Sequence, residues 1–309
     1  MSAFTRLAPA KLNLTLEILG PRADGYHEIR SVVTTVSLAD ELTAEPGCSF
    51  VITADDGYDT TGMSLMPGDV NSVELALALM RSELAGARHE PPLEGSAALQ
   101  QALSELAVRL HKRIPAAAGL GGGSSDGATA LLLLNQLWHA GLDQPALHRL
   151  AEQIGSDCPL FLKGGVQSMS GRGNVLEPLP SPVKSWFCIV TPPVARLRKT
   201  ALLYSLLVPS DYADGSRSAA LARWLRQAPP APIRPSDLCN VFDTVAGRAF
   251  GSLEPARSAL KAAGALAVQL CGSGPSLCGL FPTQTEAELA EQALRADGHA
   301  AWAVFAPAE

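Results

Sequence analysis

The sequence lacks the marks of several large function classes. None of its six cysteines (Cys48, Cys158, Cys188, Cys239, Cys271, Cys278) stands in C-x-x-C spacing, and none of its six histidines forms an H-E-x-x-H. Those absences remove the zinc-site and dithiol-redox readings, so no metal held by such a motif is expected. Six cysteines in 309 residues make no disulfide scaffold, and they are expected as reduced core thiols of a cytoplasmic protein. The net charge is −6 and no block of Lys or Arg stands out. Nucleic acid and anionic membrane surfaces are therefore not the expected partners. Apolar runs such as Ala130–Leu134 are far short of the ~20 residues of a membrane span. Over the first 19 residues, Lys11, Asn13, Thr15 and Glu17 interrupt the apolar positions, so no signal-peptide shape is expected there. Aromatic residues reach only 5%, and Gly 27 with Pro 23 falls well below low-complexity composition.

What is present is core-forming material. Hydrophobic residues make up 47% and charged residues 17% of the chain, enough for about two domains at ~100–200 residues each. Residues 11–19 alternate strictly, with Leu12, Leu14, Leu16 and Ile18 against Lys11, Asn13, Thr15 and Glu17. That period predicts a half-buried strand with one polar face. A second strand is expected over 29–38, a helix over 72–85, a further helix from Ser96, and a short strand over 108–113. An apolar helix over 128–138 and a helix from Pro145, capped by Asp143, follow. Five prolines between 178 and 193 mark the expected domain change, giving domains over 1–178 and 179–309. The C-terminal part reads as strand 186–191, helix 199–207, helix 237–250, helix 255–263, strands 266–271 and 277–281, helix 286–296 and strand 301–305. Thr285 with Glu288 fits a capping box for the last helix. The closing β-β-α-β order after an earlier β-α predicts a ferredoxin-like split sheet.

The richest segment is the run from Pro115 to Asp126. Four of the five residues 119–123 are glycine, and Ser124-Ser125-Asp126 open a strong helix. Glycines let backbone N–H groups approach a ligand, and the first N–H groups of a helix lack intrahelical acceptors. Together they suit a phosphate chain. The segment fits neither G-x-x-x-x-G-K-[ST] nor G-x-G-x-x-G. On residues alone it is either an anion cradle or a flexible connection with serine caps. A second loop, Gly272-Ser273-Gly274-Pro275-Ser276, is either a hairpin turn or a second wall of the same pocket. Lys11 leads the first strand and Asp157 follows a helix. Each is either an ordinary surface or turn residue, or half of a pair in which a carboxylate accepts a hydroxyl proton while a lysine balances charge. Asn13 shares the face of Lys11, and the Tyr26-His27 pair follows a turn. An aromatic beside a histidine suits a nucleobase, and equally suits the flank of a turn.

P-A-K-L-N-L at 9–14, R-A-D-G-Y-H at 22–27, K-R-I-P-A-A-A-G-L-G-G-G-S-S-D at 112–126, G-S-D-C-P at 155–159 and C-G-S-G-P-S at 271–276 follow in this order. With them the chain resembles the GHMP kinase superfamily over nearly its whole length. The resemblance implies an α+β fold of two domains, an S5-domain-2-like N-terminal domain and a ferredoxin-like C-terminal one, with the active site in the cleft between them. It implies ATP- and Mg²⁺-dependent phosphorylation of a small-molecule alcohol in non-mevalonate isoprenoid synthesis, the 2-hydroxyl of a cytidine diphosphate-linked methylerythritol. Asp157 then matches the catalytic base and Lys11 its partner. Pro115, Ala116, Ala117, Ala118, Gly119, Leu120, Gly121, Gly122, Gly123, Ser124 and Ser125 match the ATP phosphate loop. Asn13, Tyr26, His27, Thr200 and Tyr204 match substrate-holding positions, and Asn71 an adenine-side asparagine. Ser124, Ser125 and Asp126 are the candidates for Mg²⁺, which ATP can also carry through water. A monomer or homodimer is expected. Gly127 stands where alanine is usual, Cys158 where valine is, and Asn240-Val241-Phe242-Asp243 where Asn-Asp-x-Glu is. Another superfamily member with a smaller acceptor, or a silent nucleotide-binding module, are the rival readings.

Overall fold

The computed structural model describes residues 3–55, 71–86, 106–194, 199–227 and 229–307. The helix expected from Ser96 lies outside the described residues. By contacts the chain forms two compact units, one of residues 1–10, 39–116 and 121–163, the other of residues 11–38, 117–120 and 164–309. Strands β1 (Phe4–Pro21) and β2 (His27–Pro46) each contribute residues to both units.

In the first unit, the far end of β2 pairs antiparallel with β4 (Leu106–Lys112), and β4 pairs parallel with β3 (Ser49–Ala54). Among its described residues this unit holds the helices Ser72–Leu84, Gly122–Leu137 and Gln144–Ile154, and the short helix Cys158–Phe161. The first is capped by Asn71, whose Oδ1 accepts from Val73 N–H at 2.8 Å. The third is capped by Asp143 as expected, its Oδ1 accepting from Ala146 N–H at 2.9 Å. The Gly122–Leu137 helix is buried nearly all round, as a helix apolar on every face must be. Gly127 explains itself here. A Cβ at that position would stand 2.8 Å from Ile154 Cγ2 and 3.2 Å from Ser72 Cβ. The glycine lets three helices close on one point, and its lower helix propensity is the cost of that approach.

In the second unit, β5 (Val166–Ser170) pairs with β2 and with β6 (Val175–Pro178), and β8 (Cys239–Asn240) runs parallel to β1 at Thr15 and Leu16. A separate antiparallel sheet has the order β11 (Ala300–Ala306), β7 (Ser185–Thr191), β10 (Leu277–Phe281), β9 (Ala267–Leu270). Numbered within itself that order is 4-1-3-2, so the expected ferredoxin-like arrangement is present.

Four expectations need correction. The polar face of β1 is not solvated: Lys11 is 6% exposed, Asn13 4%, Thr15 0% and Glu17 3%. At Thr15 and Glu17 it is covered by the helix Ser216–Gln227, which the pattern did not reveal. Thr15 Oγ1 bonds Ser218 Oγ at 2.8 Å, and Glu17 Oε2 accepts from Ser218 N–H at 2.7 Å. Residues 237–250 are not one helix, because Cys239–Asn240 give their backbone to β1 and the helix begins at Asp243. The cap of the last helix is Thr283, not Thr285; its Oγ1 accepts from Glu286 N–H at 3.2 Å, two residues earlier than the pattern put it. Cys48 is exposed, whereas Cys158, Cys188, Cys271 and Cys278 are buried thiols as expected.

Candidate active site

The glycine-rich run supplies parts of both units. Its front half, Ala117–Leu120, belongs to the second. Lys11 N–H donates to the Leu120 carbonyl at 2.9 Å, so β1 is stitched to the run directly beside its lysine. The Lys11 ammonium is buried and donates to Asn13 Oδ1 at 2.7 Å, while Asn13 Nδ2 donates to Ser31 Oγ at 2.9 Å. The structure thus brings Lys11, Asn13 and the loop's front half together.

The 271–276 segment is a hairpin turn, since Leu270 pairs with Leu277, and it also packs on the glycine run. Ser276 N–H donates to the Ala118 carbonyl at 3.3 Å. Gly119 has φ +86° (left-handed backbone), and a Cβ on it would collide with the Cys271 carbonyl and stand 2.8 Å from Gly274 N. A Cβ on Gly272 would stand 2.8 Å from both Lys11 Nζ and the Gly119 carbonyl. These glycines let two backbones and an ammonium share one small space. Asn240 fixes the turn: its Nδ2 donates to the carbonyls of Leu270 at 2.9 Å and Gly272 at 2.8 Å, and its Oδ1 accepts from Phe242 N–H at 3.0 Å. Asp243 accepts from Leu270 N–H at 3.1 Å and pairs with Arg257 at 2.6 Å. Burial, opposed by Arg257, holds its carboxyl above the usual range. The departure from Asn-Asp-x-Glu therefore keeps a working bracket.

The expected substrate residues gather in the same unit. His27 stacks on Tyr204 with centroids 4.7 Å apart, and Tyr204 meets Phe242 edge-on at 5.1 Å. Tyr26 is 55% exposed, with the Arg172 guanidinium 5.1 Å from its ring centre. Thr200 Oγ1 donates to Ser273 Oγ at 3.0 Å. Tyr212, 6.0 Å from the His27 ring, and Arg172 were missed, and no local pattern announces either.

The back half of the run belongs to the first unit. Gly121, at φ +75°, is the N-cap of the Gly122–Leu137 helix and offers no side chain to its first N–H groups. Those groups remain open for an anion, reinforced by the helix dipole. A Cβ on Gly155 would lie 3.6 Å from Ser124 Oγ, so the turn carrying Asp157 abuts the helix start. Asp157 is partly exposed at φ −88°, and next to it Cys158 is fully buried. Burial first, and then the Asp157 charge, push the Cys158 thiol up to about 12. It stays a neutral packing group, as a valine would.

A buried triad anchors this half, and the motifs did not point to it. Lys112 Nζ bonds Asp126 Oδ2 at 2.6 Å and also Asp40 Oδ2, and all three residues are buried. Asp40 Oδ1 accepts from the N–H groups of Arg113 at 2.5 Å and Ile114 at 2.8 Å, which orients the chain entering Pro115. Burial would lower the Lys112 pKa, but the two carboxylates outweigh it and raise it to about 12. Burial raises the Asp126 carboxyl to about 8, against the pull of Lys112. An aspartate on the buried face of β2, Asp40, was the one available signal.

Two oxygens at this helix start, Ser125 Oγ and Asp126 Oδ1, are buried without a partner among the described residues. They are hard donors of the kind Mg²⁺ takes. No group of three or more His, Cys, Asp and Glu gathers among the described residues, and no described helix is long and apolar enough to cross a membrane.

Comparison with known proteins places this arrangement. The GHMP kinase N-terminal domain matches residues 92–165 and the GHMP kinase C-terminal domain residues 232–300. The chain is 34% identical over 302 residues to 4-diphosphocytidyl-2-C-methyl-D-erythritol kinase of Dehalococcoides mccartyi, covering 97% of each chain. It is 36% identical over 277 residues to the enzyme of the same name from Pelotomaculum thermopropionicum, covering 89% of this chain and 88% of the other. A crystal structure of 4-(cytidine 5'-diphospho)-2C-methyl-D-erythritol kinase superposes with a TM-score of 0.72 at 32% identity, covering 98% of both chains. Homoserine kinase of Cytophaga hutchinsonii, at 17% identity and a TM-score of 0.65 over 99% of this chain and 94% of the other, shares the fold. The chain belongs to the GHMP kinases, ATP-dependent enzymes that phosphorylate small molecules, and among them to the family of 4-diphosphocytidyl-2-C-methyl-D-erythritol kinases.

Proposed function

We propose that this chain transfers the γ-phosphoryl group of ATP to the 2-hydroxyl of 4-diphosphocytidyl-2-C-methyl-D-erythritol, in the cytoplasm, as a step of isoprenoid precursor synthesis. The observation that carries the choice of acceptor is the stacking of His27 on Tyr204, with Tyr26 exposed one residue away. A small acceptor such as homoserine or mevalonate has no ring for an aromatic bed, whereas a cytosine does.

Phosphoryl transfer demands positioning and charge stabilisation more than covalent chemistry. In this reading, residues 1–178 bring the ATP-binding run and the catalytic pair, and residues 179–309 complete substrate binding. The backbone from Pro115 to Ser125 holds the triphosphate: its glycines admit close approach, and the open N–H groups of the helix start face the anion. Asp157 accepts the proton of the attacking hydroxyl, which makes the oxygen a better nucleophile as the bond forms. Lys11, held by Asn13, supplies positive charge where negative charge develops on the transferring group. Asn13, Thr200, Tyr204, Tyr26 and His27 orient the acceptor. Ser125 and Asp126 are the residues that would hold Mg²⁺, which would neutralise phosphate charge there.

The test is ADP release with ATP and a panel of alcohols. Release is expected with the cytidylyl acceptor and not with homoserine, mevalonate or free methylerythritol. Turnover of a small acceptor at comparable kcat/KM would overturn the substrate assignment.

A further inference from the structure

The established chemistry of this fold leaves one half-buried cation unused. Lys199 opens the helix Lys199–Leu206, and its ammonium donates to the carbonyl of Ala117 at 2.5 Å and to that of Gly274. It thus sits between the front half of the glycine run and the 271–276 turn. Among the described residues no carboxylate pairs with it. The charged and titratable groups that face it are the Lys11 ammonium and the Cys271 thiol. The neighbouring polar pair, Thr200 with Ser273, is neutral.

That is an unusual place for a lysine. A buried ammonium is costly unless an opposite charge answers it. Here its partners are two neutral carbonyls, and the Lys11 ammonium that faces it has the same sign. Burial and then Lys11 hold it down at about 7. Ala117, one of its acceptors, has φ +51° without being glycine. Such a backbone persists where surrounding contacts fix it, and these cluster where ligands bind. Two of the three N–H bonds are spent on carbonyls. The third has no described partner.

We propose that Lys199 is a phosphate ligand, whose remaining N–H is kept for a non-bridging phosphate oxygen supplied by the nucleotide or by the acceptor's diphosphate. The inference rests on the kinase reading above and adds to it a residue that no motif of the sequence marks. An incoming phosphate answers the unpaired charge and draws a proton onto the amine, so binding at neutral pH is coupled to proton uptake.

Titration calorimetry of the full chain tests it, at pH 7.5 in two buffers of different ionisation enthalpy, with AMP-PNP and with the cytidylyl acceptor separately. Lys199→Met should bind one of the two ligands about 10- to 100-fold more weakly, the range of a charge-assisted bond. Lys199→Arg should recover most of the affinity but take up no proton, because guanidinium is always charged. The ligand that weakens names the source of the phosphate. Apo Lys199→Met should melt no lower than the parent, since no ion pair is lost. The proposal falls if both ligands bind Lys199→Met within twofold of the parent. It also falls if Lys199→Met and Lys199→Arg bind equally weakly and both melt lower, which marks a structural strap. If Lys199→Met does not fold, the parent decides: no proton uptake with either ligand between pH 7 and 8.5 defeats the proposal. A parent that binds neither ligand defeats the kinase reading itself, and this inference with it.

Discussion

Lys112 is buried and Lys199 half-buried, both touch the glycine-rich run, and burial pushes both toward the neutral amine. Their partners decide the outcome. Lys112 lies between Asp40 and Asp126 and is raised to about 12; Lys199 lies between two carbonyls near Lys11 and falls to about 7. The first is answered within the protein by the Asp40 and Asp126 carboxyl groups. The second is under-answered. A charge balanced from within braces a backbone, whereas a charge left unbalanced awaits something from outside.

The comparison assigns bracing to one lysine and binding to the other, and the proton transfer to neither. The largest loss should therefore come from outside both. Asp157→Asn should lower kcat by about 10²–10⁴-fold while AMP-PNP binding changes little. A variant with near-parental turnover ends the general-base role. Next, Lys112→Met should cost about 3–5 kcal/mol of apo stability, because Asp40 is left as a buried charge without its cation. Denaturant unfolding of Lys112→Met beside Lys199→Met is the direct contrast, and equal midpoints would erase the distinction. Third, Gly119→Ala meets both a left-handed backbone and the Cys271 carbonyl, whereas Gly141→Ala, at φ +67°, has nothing within 4 Å. Gly141→Ala should cost only about 1–2 kcal/mol. Gly119→Ala should exceed that and weaken AMP-PNP binding as well, and equal effects would mean the two loops are not in tight contact.

The smallest effect is in pH dependence, where the signs oppose. Asp126 is raised from 3.8 to about 8, so the native state holds a proton that the unfolded chain has released. Its contribution is full below pH 4 and is lost as pH rises through 8. Lys199 is lowered from 10.5 to about 7, so the unfolded chain holds the extra proton, and its contribution grows from pH 7 to 10.5. Asp126→Asn should flatten the falling limb and Lys199→Met the rising one, read as Tm against pH. A variant that leaves its own limb unchanged would detach that slope from that residue.

Much of this was legible in the sequence. The period of two in β1, the Asp143 cap, the apolar helix after the glycine run and the final β-β-α-β order are local signals, and each reappears in the fold. Lys11 meets Asn13, and His27 stacks on Tyr204. The rest depends on what packs against what. Alternation in 11–19 shows two faces but not that Ser218 and Gln269 cover the polar one, the latter donating to the Asn13 carbonyl at 2.8 Å. Helical propensity over 237–250 loses to backbone pairing at Cys239–Asn240. Lys199, Lys112 and Asp40 carry no spacing signature, because their partners are distant in the chain and, for Lys199, are backbone carbonyls that any residue could supply.

The single exposed thiol has a practical sequel. Reactivity toward electrophiles requires thiolate, and burial holds Cys158 and Cys188 near 12 and Cys239 and Cys271 above their usual range. Cys48 alone is open. One maleimide dye should therefore attach at β2–β3 without touching Asp157's neighbour, giving a spectroscopic handle on an enzyme that keeps its turnover, and mild peroxide should leave catalysis intact.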